Sequence, residues 1–220
     1  MLAGCQFNEL TDRAAHTSKV CELDGQEEFD NSILFDPEVS ANCRQAILND
    51  FRAKNLSQDA EQVLINGAHA WLNYDWQKFE HESIAPEMEE AEGVLGEDTQ
   101  GRTMYNWITS HFTASVGSKK EGGNALARYT LPADRLVILR YATQLDASQM
   151  LAHEAKHADG GFSHKKCPTW DEKGKGCDQG DDGAYSVTVT IYSSIITEDE
   201  HLRKVLDQSI ETYQERILPE

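Results

Sequence analysis

From Asn42 to Asn55 the apolar positions Cys43, Ala46, Ile47 and Phe51 recur at helical spacing, which predicts an amphipathic helix. Ser57 then reads as an N-cap, and Ala60, Val63, Leu64, Gly67, Ala68, Trp71 and Leu72 carry the 3.6-residue period on toward Phe79. Tyr105–Phe112 is aromatic and β-branched, and the GSKKEGG stretch at 117–123 is a loop by composition. Alternation over Ala125–Leu131, then Leu136-Val137-Ile138-Leu139, predicts two strands separated by Pro132-Ala133-Asp134. Asp146 reads as the cap of a helix running through Met150, Leu151 and Ala155 to Ala158, ended by Gly160-Gly161. The run Ala184–Ile196 alternates like a strand but also shows two helical stripes, and its thirteen residues are long for a strand. A buried helix is the better reading there, followed by a last helix over Asp199–Leu218.

The expected fold is α+β: mostly helical, with a small antiparallel or mixed sheet packed on the helix that starts near Asp146. Residues 1–40 read as an N-terminal arm, 41–98 as an acidic helical region and 99–220 as the region where chemistry would sit, the last two forming one compact unit. Within the acidic region Glu87–Asp98 is mostly Glu and Gly and reads as a solvated linker.

Charge sharpens this division. The 220-residue chain has a formal net charge of −18. Residues 1–100 carry 6 basic against 21 acidic side chains, whereas residues 101–220 carry 14 against 17. Such a chain is a poor partner for nucleic acid, which needs clustered Lys and Arg to displace counterions, and for anionic membrane surfaces. No apolar run approaches the ~18 residues of a membrane span.

The five cysteines, Cys5, Cys21, Cys43, Cys167 and Cys177, include no CxxC pair, so neither a zinc ribbon nor a thioredoxin-type redox site is indicated. Leu2-Ala3-Gly4-Cys5 resembles the lipobox of bacterial lipoproteins, which implies a lipid anchor on Cys5. Either a signal segment ahead of it has been trimmed or Met1 is the true start. The other four cysteines allow three pairings, of which the nearest-neighbour one, Cys21 with Cys43 and Cys167 with Cys177, is the guess adopted. Both features point to an oxidising, extracytoplasmic address, periplasmic or membrane-anchored.

Three of the eight histidines fall within the twelve residues 153–164. His153-Glu154-Ala155-Lys156-His157 matches HExxH, in which the two imidazoles at i and i+4 share one face of a helix and can hold one Zn²⁺. The metal lowers the pKa of a bound water toward neutrality, and Glu154 is placed to take its proton. The predicted strand before this helix and the apolar residues around it strengthen the reading, since two His and a Glu are costly to bury without a partner.

A strand, a helix bearing HExxH and a ligand downstream resemble the zincin metallopeptidases, over roughly Ala125–Ile196. HEAKHADGGFSH nearly fits the metzincin string HExxHxxGxxH, but the required position holds Ser163, with His164 one residue later, and no Met follows Met150. The gluzincin branch wants a Glu on the downstream helix, and Ala184–Ile196 has none. Gly180-Asp181-Asp182-Gly183-Ala184-Tyr185-Ser186 keeps the D-x-x-Y part of the aspzincin pattern. That local similarity implies Asp182 as third ligand and Tyr185 as a donor to the oxyanion. His164, Asp178, Asp181 and the acidic residues after 196 stay open as alternatives, and an Asp at 181 or 182 would equally serve as a helix cap.

Other residues have simpler readings: Tyr141 as a core tyrosine, with oxyanion donor as the alternative; His69 as a satisfied core histidine; His16, His81, His111 and His201 as surface residues. There is no GxSxG and no phosphate-cradling loop. The resulting expectation is a zinc peptidase of the cell envelope: His153, His157 and Asp182 as ligands, Glu154 and Tyr185 as catalytic groups, Zn²⁺ as cofactor and a peptide or protein as substrate. That substrate would be held along residues 125–131 by strand addition. The alternative is an envelope lipoprotein that binds a partner, its metal structural or absent. Zn²⁺, Mn²⁺ and Co²⁺ can share such sites.

Overall fold

In a computed structural model the described residues are 12–23, 25, 27–77, 100–112, 117–118, 126–130, 135–160, 164–167, 176–179 and 183–218. The fold is α+β and mostly helical. The elements run α1 (Arg13–Cys21), a 3-10 turn (Asn31–Leu34), α2 (Ala41–Asp50), α3 (Gln58–Asn73), α4 (Gln100–His111), β1 (Gly117–Ser118), β2 (Ala127–Thr130) and β3 (Arg135–Ile138). They continue with α5 (Gln144–Gly160), β4 (Lys165–Lys166), β5 (Gly176–Gln179), α6 (Ala184–Ser193), α7 (Glu200–Gln214) and β6 (Ile217–Leu218).

The centre of the structure is α3 against α5. Ser57 caps α3 by accepting from the Ala60 amide at 3.3 Å, and Val63, Leu64, Ile65, Ala68, Trp71 and Leu72 are fully buried. The two helices approach closely at Gly67, where an added Cβ would stand 2.5 Å from Leu151 Cδ1 and 3.0 Å from the Ala147 backbone. Polar atoms on this interface are paired: Trp71 Nε1 donates to Ser148 O at 3.0 Å and Asn66 Nδ2 to Ala142 O at 2.8 Å. An unpaired group at this depth would cost about 1–3 kcal/mol. α5 also packs on α6, and α6 on α7.

One small sheet packs on α5 and a second on α6. In the first, β3 lies in the middle, parallel to β1 and antiparallel to β2, with Ala127 opposite Ile138 and Tyr129 opposite Leu136. This sheet packs on α5 through β2. In the second, β5 lies in the middle, antiparallel to β4 and parallel to β6. Disulfides join Cys21 to Cys43 and Cys167 to Cys177, the nearest-neighbour pairing. The first ties α1 to α2, and closing a loop of 22 residues is worth about 3 kcal/mol in the chain-entropy account.

Several boundaries depart from the sequence pattern for local reasons. α2 stops at Asp50, short of Asn55, because Arg52 and Asn55 take left-handed backbone, φ 50° and 55°. α5 starts at Gln144: Thr143 Oγ1 accepts from the Asp146 amide at 3.4 Å, so Thr143 does the capping expected of Asp146. The Asp146 carboxylate instead accepts from Tyr192 Oη at 3.2 Å, linking α5 to α6. The aromatic run from Tyr105 lies in helix α4, its apolar face buried. The chain expected as helix to Leu218 leaves α7 at Gln214 and becomes strand β6 at Ile217. Residues 78–99, which hold the expected linker, and the lipobox stretch with Cys5 lie outside the described residues. Two disulfides fit an extracytoplasmic location, and no helix among the described residues is long and apolar enough to cross a membrane.

Tyr141 is not a core residue. It is 46 % exposed and donates to Asp36 Oδ1 at 2.5 Å. His69, by contrast, is largely enclosed and donates from Nδ1 to Gln144 Oε1 at 2.7 Å, while Gln144 Nε2 donates to Ser32 O and Phe35 O. Burial lowers the His69 pKa, with Gln144 opposing. A histidine depressed in the folded state leaves stability intact above its unfolded pKa of about 6.5 and costs stability as pH falls below it, because the unfolded chain then binds the extra proton. Thermal unfolding from pH 7.5 down to about 5 should therefore show a smaller fall in Tm for His69→Gln than for the wild type. An identical fall would show that His69 does not titrate against the fold.

Candidate metal centre

Helix α5 delivers the first two donors. His153 and His157, one helical turn apart, project from the same face, with ring centroids 4.9 Å apart. His164 enters just ahead of β4 and closes the group: its Nε2 lies 3.2 Å from His153 Nε2 and 3.1 Å from His157 Nε2. Among the described residues these three form the group of His, Cys, Asp and Glu side chains able to hold a metal ion. Asp182 lies outside the described residues. The third donor that the geometry supplies is His164, one of the alternatives left open by the sequence.

The outer nitrogens explain why the inner ones converge. His164 Nδ1 donates to Asp178 Oδ1 at 2.6 Å, which leaves its Nε2 lone pair facing inward. His153 Nδ1 sits 3.1 Å from Thr188 Oγ1 on α6, and the Ala184 carbonyl accepts from the same ring, so its Nε2 also presents a lone pair. Two nitrogen lone pairs facing each other at 3.2 Å repel unless a proton or a cation stands between them. Tetrahedral coordination at about 2.0–2.1 Å places neighbouring nitrogens about 3.3 Å apart, close to the two spacings from His164, and the three donor atoms lie within 4.8 Å of one another. The residues therefore fit a metal ion. Burial first, and then the neighbouring imidazoles, hold His153 well below the ordinary histidine range, so it is neutral and competent to ligate.

Asp178 is the hub of the second layer. Its other oxygen, Oδ2, accepts from the Tyr185 amide at 2.7 Å, in the first turn of α6, where Gly183 provides no side-chain cap. The carboxylate thus serves as cap and as complement to the helix dipole while it orients His164. A Cβ on Gly183 would collide with the Asp178 carboxyl, so glycine there is what lets the helix start against it. The Asp178 amide donates to Arg216 O at 2.9 Å, and Asp178 pairs with Ile217 of β6. Next to Asp178, Cys177 closes the disulfide to Cys167, so the hairpin that bears His164 and Asp178 is covalently fixed. Such outer partners typically change metal affinity about 10–100-fold.

Glu154 follows His153 on α5 and is 7 % exposed. Its Oε2 accepts from the Tyr129 amide on β2 at 2.6 Å. Burial raises its pKa to about 7, against the opposing pull of that amide, His164 and Arg128. Tyr185 stacks on His164, centroids 4.4 Å apart and planes 20° from parallel, and meets His153 edge-on at 4.8 Å. Its hydroxyl oxygen accepts from Arg216 Nη1 at 2.6 Å. The structure thus brings His153, Glu154, His157 and Tyr185 to one place. Sequence reasoning missed Thr188 and Arg216, and treated Asp178 only as a ligand. For Asp178 there was a signal: it follows a cysteine whose disulfide partner lies three residues after His164.

No family model, no curated protein and no solved structure matches the chain, so the function is read from these residues alone. The first consequence is measurable by chelator competition on the purified chain. One divalent ion per chain is expected, with affinity reduced at least about 100-fold in His157→Ala and His164→Ala and about 10–100-fold in Asp178→Asn. Loss of metal in Asp182→Asn with retention in His164→Ala would reverse the assignment of the third ligand.

Proposed function

We propose that the chain is a zinc-dependent peptidase that hydrolyses peptide bonds outside the cytoplasm, with a zincin-like site of His153, His157 and His164. The observation that carries this reading is the convergence of three imidazole Nε2 atoms beside a buried glutamate, within the reach of a short strand. A zinc ion held there would polarise a carbonyl and acidify a water molecule.

The chain's own residues would do the rest. Glu154, one residue from a ligand and held against β2, is placed to accept a proton from the attacking water and hand it to the amide nitrogen. As that proton arrives the C–N bond breaks; the water oxygen stays on the new carboxyl group and the amine leaves. Strand β2 lies at the edge of its described sheet, the geometry in which an extended peptide adds as a further strand. Its Tyr129 amide bonds to Glu154, so the substrate-binding strand and the proton-transfer group are in direct register.

The test is hydrolysis of a peptide library by zinc-loaded protein. Glu154→Gln should keep its metal and lose about 10²–10⁴-fold in kcat. A wild-type chain that binds one zinc but cleaves no peptide, or a Glu154→Gln variant that cleaves as well as the wild type, would contradict the proposal and favour a structural metal in a partner-binding protein.

A further inference from the structure

We infer that Arg216 is a positioning residue that holds the Tyr185 hydroxyl as a donor, making the pair an anion-binding arm of the His-triad site. This rests on the peptidase reading for its catalytic use but not for its chemistry. Arg216 lies in the turn between α7 and β6, half-buried, and its Nη1 donates to Tyr185 Oη. A guanidinium has only donors. The phenol oxygen is therefore the acceptor in this bond, and its single proton must go elsewhere. Among the described residues no acceptor takes that proton.

The hydroxyl cannot swing away to find one. The Tyr185 ring is held between His164 on one side and Tyr213 on the other, centroids 4.4 Å and 5.8 Å away. The Arg216 guanidinium carbon lies 4.9 Å from the centroid of the same ring. The backbone of Arg216 is fixed too, because its carbonyl accepts from the Asp178 amide, on the strand whose side chain orients His164. Arg216 exerts its charge on His153, and Glu154 and Asp178 exert theirs on the Tyr185 phenol. The donor and the positive charge thus share one space with the imidazoles and the glutamate. A fixed O–H backed by a guanidinium, beside imidazoles that can hold a metal, suits an oxygen that bears negative charge. The ligand class is a carboxylate or a tetrahedral oxyanion, such as the one that forms as a peptide carbonyl is attacked.

The experiment is calorimetric titration of inorganic phosphate into the zinc-loaded full chain, wild type against Tyr185→Phe, Arg216→Met, Arg216→Lys and the Tyr185→Phe/Arg216→Met double variant, with metal content measured throughout. Tyr185→Phe and Arg216→Met should each weaken phosphate about tenfold, and the double variant should be no weaker than the worse of the two. Arg216→Lys, which keeps a charge and a donor, should recover part of the loss. In hydrolysis the single variants should lower kcat with KM unchanged.

No phosphate binding to the wild type, unchanged affinity in Arg216→Met, or fully additive losses would overturn the inference. Loss of metal in both Arg216→Met and Arg216→Lys would overturn it as well, by assigning Arg216 to the scaffold. If phosphate behaves as stated while the wild type cleaves no peptide, the peptidase reading fails and the anion-binding arm stands.

Discussion

The His164–Asp178 hydrogen bond is the constraint on which the rest of the site depends. Two imidazoles on one helix face are an ordinary consequence of i, i+4 spacing, and without a third donor they would have no reason to stay dry. Asp178 takes the Nδ1 proton of His164 at 2.6 Å and so turns the opposite nitrogen toward the pair on α5. Two lone pairs facing each other in a largely buried place are unfavourable by themselves. A cation held there would turn that repulsion into coordination, with the donors assembled beforehand by the fold.

Much of the second sheet exists to keep that bond in place. The disulfide between Cys167 and Cys177 closes the hairpin on which His164 and Asp178 sit. The last strand, β6, pairs with β5 alongside Asp178. The first turn of α6 donates an amide to the other carboxylate oxygen, and the helix dipole favours negative charge there. One carboxylate is thus cap, strand residue and ligand orienter together. The first sheet packs on α5, where the Tyr129 amide of β2 holds Glu154. The two sheets therefore divide the labour, one fixing the imidazoles and the other the buried Glu154.

The sequence made α5, its HExxH pair, the helix at Ala184 and the two disulfides legible, since each is a matter of local period or of counting cysteines. Ser57 acted as a cap where the pattern placed it. What lay beyond reach was non-local. His164 follows HExxH with one residue more than the metzincin string allows, and only the path of the chain into β4 decides that its ring turns back to α5. Asp178 and Arg216 acquire their roles from strand pairing between segments almost forty residues apart, which no periodicity encodes. Tyr141 was misread for a related reason. An aromatic residue before a helix reads as core, but here its hydroxyl reaches Asp36, more than a hundred residues away, and stays at the surface.

The central claim is that three imidazoles, His164 among them, surround one metal ion. X-ray absorption at the zinc edge on the zinc-loaded full chain tests it most directly. The account predicts three imidazole nitrogens at about 2.0–2.1 Å and one further light atom, with one imidazole fewer in His164→Ala. A wild-type spectrum that fits only two imidazoles, or one unaltered by His164→Ala, would contradict it.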